Sequence, residues 1–243
     1  MNRTPRFSLR AHGPAVVVLS ALMLPLPALA DWTGSGELGL VFARGNSDTE
    51  TINAKLGLVY TQDRWSNETE LSYLRSENEG SLDASRFLAS NLTRYDLNDR
   101  SYLIGSARYD ADKFSSFEYQ ASAALGWGYR VLTGETHVLK IEAGPGVRFT
   151  EARDSGDSET DFIGRGAVDY LWNLSETARL ENKFLVETGA SNTFLENDLA
   201  LTVAINGALS LKTGVAVRHN TDVEPGRDNT DVLSTVNLVY SFD

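Results

Sequence analysis

The 243-residue chain has no cysteine at all. That excludes a structural disulfide, although an exported protein could have formed one, and it closes the lipoprotein route, which needs a cysteine to carry lipid. Basic residues are also in short supply: 22 Lys and Arg face 33 Asp and Glu, a formal net charge of −11. Nucleic-acid binding asks for a basic face, and this composition does not offer one. Long hydrophobic runs are missing too. Beyond residue 30 no apolar stretch approaches the ~20 residues of a spanning helix. A chain of this kind crosses a membrane only as a closed barrel, in which every backbone polar group is paired.

The first thirty residues are different in kind. Arg3, Arg6 and Arg10 precede an apolar run from Pro14 to Pro27, and Ala28-Leu29-Ala30 follows as a small-x-small cleavage site. This is the three-part layout of a secretory signal peptide, with cleavage expected after Ala30. Pro25 and Pro27 break the run and count against a membrane anchor. Removing the leader takes away three bases and no acids, so residues 31–243 carry a net charge of −14.

The remainder alternates. From Phe117 to Val131 every odd position is apolar or aromatic, while Glu118, Gln120, Ser122 and Arg130 fall on the other parity. A period of two is a β-strand with two unlike faces. The same pattern predicts twelve strands, at 32–43, 51–61, 65–76, 85–96, 101–110, 117–131, 137–150, 160–172, 177–188, 194–205, 208–220 and 230–242. Strands three, four and ten alternate weakly. Predicted connections are long at 44–50, 77–84, 111–116, 151–159, 189–193 and 221–229 and tight between, as in the Asn206-Gly207 hairpin signal. An even strand number with short turns at one end and longer loops at the other is the plan of a transmembrane barrel. Trp32, Trp65, Trp127 and Trp172, with Tyr60, Tyr95, Tyr102, Tyr129, Tyr170 and Tyr240, cluster at the turn end. Phe42, Tyr73, Phe87, Tyr109, Phe117, Phe149, Phe162 and Phe194 cluster at the other. Such belts mark membrane interfaces. The expected architecture is an all-β antiparallel transmembrane barrel of about twelve strands, one domain over 31–243, following the leader at 1–30. A soluble β-sandwich would keep more of its aromatics mid-strand.

Several short pieces then carry a resemblance. Gly45-Asn46-Ser47-Asp48-Thr49, Arg108-Tyr109-Asp110 with Phe114, Gly126-Trp127-Gly128-Tyr129-Arg130, Gly144-Pro145-Gly146-Val147-Arg148 and Val239-Tyr240-Ser241-Phe242 occur in this order. The chain resembles the salt-induced outer-membrane protein family, a YdiY-like domain of unknown function, over nearly the whole length after the leader. The resemblance implies a bacterial outer-membrane barrel with no established activity. Asp243 departs from the pattern, because such barrels end on the aromatic residue that the insertion machinery reads.

Residues that could carry chemistry are few. Of the two histidines after the leader, His137 begins a strand near a turn, and His219 lies at a loop end beside Asn220. A hydrolase at the rim would need a serine paired with an oriented histidine. The His-x-Ser pattern of twelve-stranded outer-membrane phospholipases is absent, so no catalytic residue is assigned. Alternation instead sends Lys55, Arg108, Glu118, Arg130, Lys140, Glu142, Arg148, Arg165, Asp169, Arg179, Glu181, Lys183 and Lys212 into the lumen, with Glu187 and Arg218. They suit a plugging ladder of ion pairs and the lining of a narrow path equally. Gly126, Gly128, Gly144 and Gly146 leave one wall bare, which suggests a wider lumen or tight curvature there. Pro145 lacks an N–H, so a bulge is expected at Gly144–Gly146. Acids crowd the loop rim, with Asp154, Asp157, Glu159 and Asp161 closest together. Their spacing is not that of a calcium loop, and neither a metal nor a cofactor is assigned.

The expectation is a non-enzymatic barrel, either a narrow passive pore or an envelope-stabilising protein linked to salt or osmotic conditions. A rim hydrolase and a small adhesin or receptor are the alternatives. Expected partners are outer-membrane lipid, lipopolysaccharide (through divalent cations at the acidic rim) and the barrel assembly machinery, with no nucleic acid. The chain is expected to be monomeric.

Overall fold

The computed structural model describes residues 31–43, 49–113 and 115–242. The leader at 1–30, Arg44, the Gly45–Asp48 part of the first motif, Phe114 and Asp243 lie outside the described residues, as does the side chain of Phe42. The strands are β1 Asp31–Ala43, β2 Thr49–Gln62, β3 Trp65–Asn78, β4 Ser81–Asp96, β5 Ser101–Asp112 and β6 Phe117–Thr133. They continue as β7 His137–Ala152, β8 Ser158–Asn173, β9 Ala178–Thr188, β10 Thr193–Ala204, β11 Leu209–Asn220 and β12 Thr230–Phe242. Each pairs antiparallel with its sequence neighbours, and β1 pairs with β12 from Gly34↔Phe242 to Leu38↔Leu238. The sheet is a closed barrel with no free edge, which removes the unpaired backbone groups an open sheet would expose to lipid.

The two faces follow the alternation. On β6, Leu125 is 72 % exposed and Trp127 points the same way, while Ala124 on the other parity is buried. Leu38, Leu40, Ile52, Leu56, Leu71, Val215, Val236 and Leu238 continue this exposed apolar wall around the barrel. Aromatic pairs sit at both ends of it. Trp32–Tyr60, Trp65–Tyr95 and Trp127–Tyr129 lie at the turn end, and Phe87–Tyr109 and Tyr109–Tyr119 at the loop end. A wall this apolar, rimmed by aromatics, is the lipid face of a transmembrane barrel. Leu125→Lys is therefore expected to destabilise the folded barrel by about 2–4 kcal/mol. Urea titration in lipid vesicles checks this; an unchanged midpoint would take Leu125 off the lipid face.

Four expectations need correction. The loop ends of β3 and β4 run to Asn78 and Ser81, so the connection expected at 77–84 is only Glu79-Gly80. Both residues have positive φ (51° and 78°), the backbone of a tight hairpin turn, and the expected alternation of long and short connections fails there. Second, Gly144–Gly146 contains no bulge. β7 keeps its register with β8 straight through Pro145↔Gly164, and the register shifts against β6 fall at Phe117/Tyr119 and Arg130/Leu132. β6 and β7 instead approach so closely that a Cβ on Gly144 would collide with the backbone of Leu125 and Gly126. Gly144→Ala should thus lower the unfolding temperature, at a cost of about 1–3 kcal/mol. The temperature at which the compact gel band converts to the unfolded one measures it, and no change would refute the close approach.

Third, Tyr102 and Phe194 are not belt residues. Tyr102 is 0 % exposed and Phe194 is buried, both on the inward parity of their strands. Fourth, Gly128 does not widen the lumen, while Gly126, Gly144 and Gly146 lie where β6 and β7 approach closely. Tyr102 lies directly opposite Gly128, and its ring occupies the space a Cβ on Gly128 would need. The wall is bare so that an aromatic side chain can lie on it.

Candidate functional site in the lumen

Inward positions carry ions, and the barrel is narrow enough for them to meet. A charge held at low water content is tolerable only when paired and hydrogen-bonded. Two groups of pairs result.

Glu142 of β7 is the hub of the first, nearer the turns. Its Oε1 accepts from Arg94 Nε at 3.1 Å and from the Tyr102 hydroxyl at 3.2 Å, and its Oε2 from Arg165 Nη1 at 3.1 Å. Arg94 also pairs with Glu68 and stands 3.6 Å from Asp169. The Arg130 guanidinium lies 4.7 Å over the Tyr102 ring and donates to Asp96 at 2.7 Å. Tyr102 is thus sandwiched between a glycine and a cation, which fixes its hydroxyl on Glu142.

The second group crosses the lumen. Arg108 of β5 reaches Glu196 of β10 at 2.6 Å and Asp110 at 3.0 Å. Arg86 of β4 donates to Asp110 at 2.7 Å and stands 3.6 Å from the same Glu196. In a ring of twelve strands β4 and β10 are diametrically opposed. Arg218 of β11 lies 3.7 Å from Asp112 of β5, also opposite, and Gln120 of β6 donates to Asn220 of β11 at 3.4 Å. Phe194 closes the floor beneath Arg108, 5.1 Å from ring to guanidinium. Beside this septum Arg148, 1 % exposed, donates to the carbonyls of Glu187 and Asn192 at 3.3 and 2.5 Å. Ser122 donates to Glu187 at 2.8 Å. Small gaps of about 10 and 20 Å³ lie within the septum, lined by Arg108, Asp110, Gln120, Phe194 and Arg218 among others.

The model of a family of unknown function, DUF481, matches residues 36–242. The chain belongs to that family. It is 29% identical over 221 residues to the uncharacterized protein YdiY of Escherichia coli (strain K12), covering 90% of this chain and 86% of the relative. In three dimensions it is similar to the NanC porin, with a TM-score of 0.51, 11% identity and coverage of 87% of this chain and 98% of that one. An outer-membrane channel from Pseudomonas putida F1 matches with a TM-score of 0.50 and 11% identity over 87% of this chain and 94% of that one. At such identity these likenesses establish a shared barrel fold.

Within this member of the family, the residues expected in the lumen separate into groups. Arg108, Arg130, Glu142, Arg148, Arg165 and Asp169 are in the two networks just described. Lys55 pairs with Glu70 at 2.7 Å, Lys212 with Glu37 at 2.7 Å, and Lys183 with Glu181 at 3.3 Å. Lys140 lies inward, opposite Asp169. One expectation fails. Glu118 is exposed at the loop rim and binds Arg153, because the register shift at Phe117/Tyr119 falls at its position. Arg179, one residue into β9, keeps the inward parity of Glu181 and Lys183 and sits exposed at the turn end.

The rim acids divide as well. Asp154, Asp157 and Glu159 are exposed, and Asp154 stands 3.5 Å from Arg227. Asp161 is at the loop end too, but differs in its facing. It faces inward, accepts the Ser191 hydroxyl and backbone N–H, and stands 3.5 Å from Arg148. Among the described residues no group of three or more His, Asp or Glu is placed to hold a metal ion. His137 stacks on Tyr170 and lies tilted against Trp172, and His219 Nδ1 meets the Thr230 hydroxyl at 2.8 Å. The sequence did not place Arg86, Arg94, Glu37 and Asn237 in the lumen. Asn237 donates to Glu37 at 3.1 Å.

Proposed function

We propose that the protein is a non-enzymatic barrel of the bacterial outer membrane whose lumen is closed at rest. Its role is to stabilise the envelope, not to conduct solutes. The observation that carries the reading is Glu196, held from the opposite wall by Arg108 at 2.6 Å and by Arg86 at 3.6 Å. A path through the barrel has to pass this septum. Arg86, Arg108, Asp110 and Glu196 pair with one another there, which supports the closed arrangement.

The porin and channel folds it is similar to, together with the lipid-facing wall, support an outer-membrane location with the short turns in the periplasm. The expected leader would supply the export. Lipid, lipopolysaccharide and the assembly machinery that inserts barrels are the partners this reading implies. The salt and osmotic link belongs to the same proposal: a closed barrel strengthens the membrane without leaking ions. Liposome swelling is the test. Vesicles carrying the barrel should swell in small sugars and salts no faster than empty vesicles, and porin-like swelling would overturn the reading.

A further inference from the structure

The closure is one-sided. At the septum the side chains of Arg86, Arg108, Glu196 and Arg218 retain 9–15 % of their exposure. Nearer the turns the Arg94–Glu142–Arg165 group is as dry, at 2–9 %, but other side chains that face the lumen there are far wetter: Asp169 30 %, Glu181 34 %, Glu68 40 % and Lys183 47 %. Inward charges this exposed line an aqueous space. The loop end is covered a second time. Glu224 in the β11–β12 loop donates its N–H to Ser116 at 3.1 Å and accepts from Asp154 N at 3.1 Å, so that loop leans across to the β5–β6 and β7–β8 connections. At the turn end the connections are only two to four residues long, and the hydrogen bonds described there join neighbouring strands.

We propose that the lumen is a one-ended aqueous chamber, entered from the turn end by small charged or zwitterionic solutes and sealed from the loop end. This rests on the closed-barrel reading and adds its direction and the class of occupant. The class follows from the wall. Lys183 stands near Glu181, Asp169, Glu70 and Glu68, and Lys140 near Arg94 and Arg130 as well as Glu68 and Asp169. Both signs stand at each level, so hydrated ions of either sign and small zwitterions are accommodated, and apolar molecules are not.

The absence of native cysteine makes the test clean. Lys183→Cys, with Lys140→Cys as a second variant, is reconstituted in sealed vesicles and exposed from outside to small membrane-impermeant thiosulfonates, one cationic and one anionic. Glu176→Cys in the β8–β9 turn and Ser155→Cys in the β7–β8 loop report how much barrel presents each end to the reagent. Modification of the Lys183→Cys variant should match the turn marker and be independent of the loop marker. The two reagents should react at rates within about threefold of each other, as a wall of balanced sign requires. Modification matching the sum of both markers would sink the chamber and the closed-barrel reading together. No modification at either site, or modification from the loop end alone, would sink the chamber and leave the barrel closed. A strong preference for one reagent would overturn the mixed-sign occupant.

Discussion

Glu142→Ala is expected to destabilise the barrel by about 3–5 kcal/mol, the cost of removing one partner from a buried charge network. Three donors lose their acceptor at once: Arg94, Arg165 and the Tyr102 hydroxyl. Arg94 is itself almost wholly buried, and Glu68 and Asp169 remain as its carboxylates. Glu142→Gln keeps the shape and one acceptor oxygen, and should lose clearly less. Urea-induced unfolding in lipid vesicles, followed by tryptophan emission, gives both values. Equal midpoints for wild type and Glu142→Ala would mean that water inside the barrel already satisfies these donors.

The second large effect is functional. Replacing Glu196 by Ala removes the acid that Arg108 and Arg86 share across the lumen. Asp110 keeps both arginines on their own wall, since it bonds Arg86 at 2.7 Å and Arg108 at 3.0 Å. The septum then loses its crossing contact while the β4–β5 side stays paired. Vesicles carrying Glu196→Ala should take up small ions that wild-type vesicles exclude, without a matching loss of folded barrel. Lys212→Ala is the comparison. It breaks a pair with Glu37 between strands close together on one side, and should leave uptake unchanged. Uptake by both variants alike would mean general loosening.

Much of the architecture is legible from alternation alone, because β6, β7 and β12 keep one apolar parity over most of their length. β3, β4 and β10 do not, and the structure supplies the reason. Asn67, Thr69, Asn91 and Thr93 lie on the outward face among Trp65, Leu71, Phe87 and Tyr95, and satisfy one another in a closed set of hydrogen bonds at 2.7–3.3 Å. Asn182 and Asn197 do the same on β9 and β10. Polar groups facing outward and apolar Leu88 and Phe194 facing inward blur the period. Arg86 and Arg94 were hidden by that blur. Asp110 and Glu196 were legible as acids near the loop end, but not as septum residues. Which carboxylate meets which guanidinium across a barrel depends on strand tilt and register, and no local pattern encodes that.

Tyr102 escapes the pattern for a related reason. A tyrosine one residue into a strand, in a chain with aromatic belts, looks like an interface anchor. Its inward parity and the glycine opposite it at 128 were both written in the sequence. Only their pairing shows that the ring fills the space of the missing side chain.

The closed septum is tested most directly by recording current through single wild-type barrels in a planar bilayer. A flat trace is the predicted result, with insertion verified by a labelled barrel and the same preparation of Glu196→Ala giving resolved steps. Steady ohmic steps from the wild-type barrel would contradict a closed septum, because ions would then be crossing the level where Arg108 and Arg86 hold Glu196.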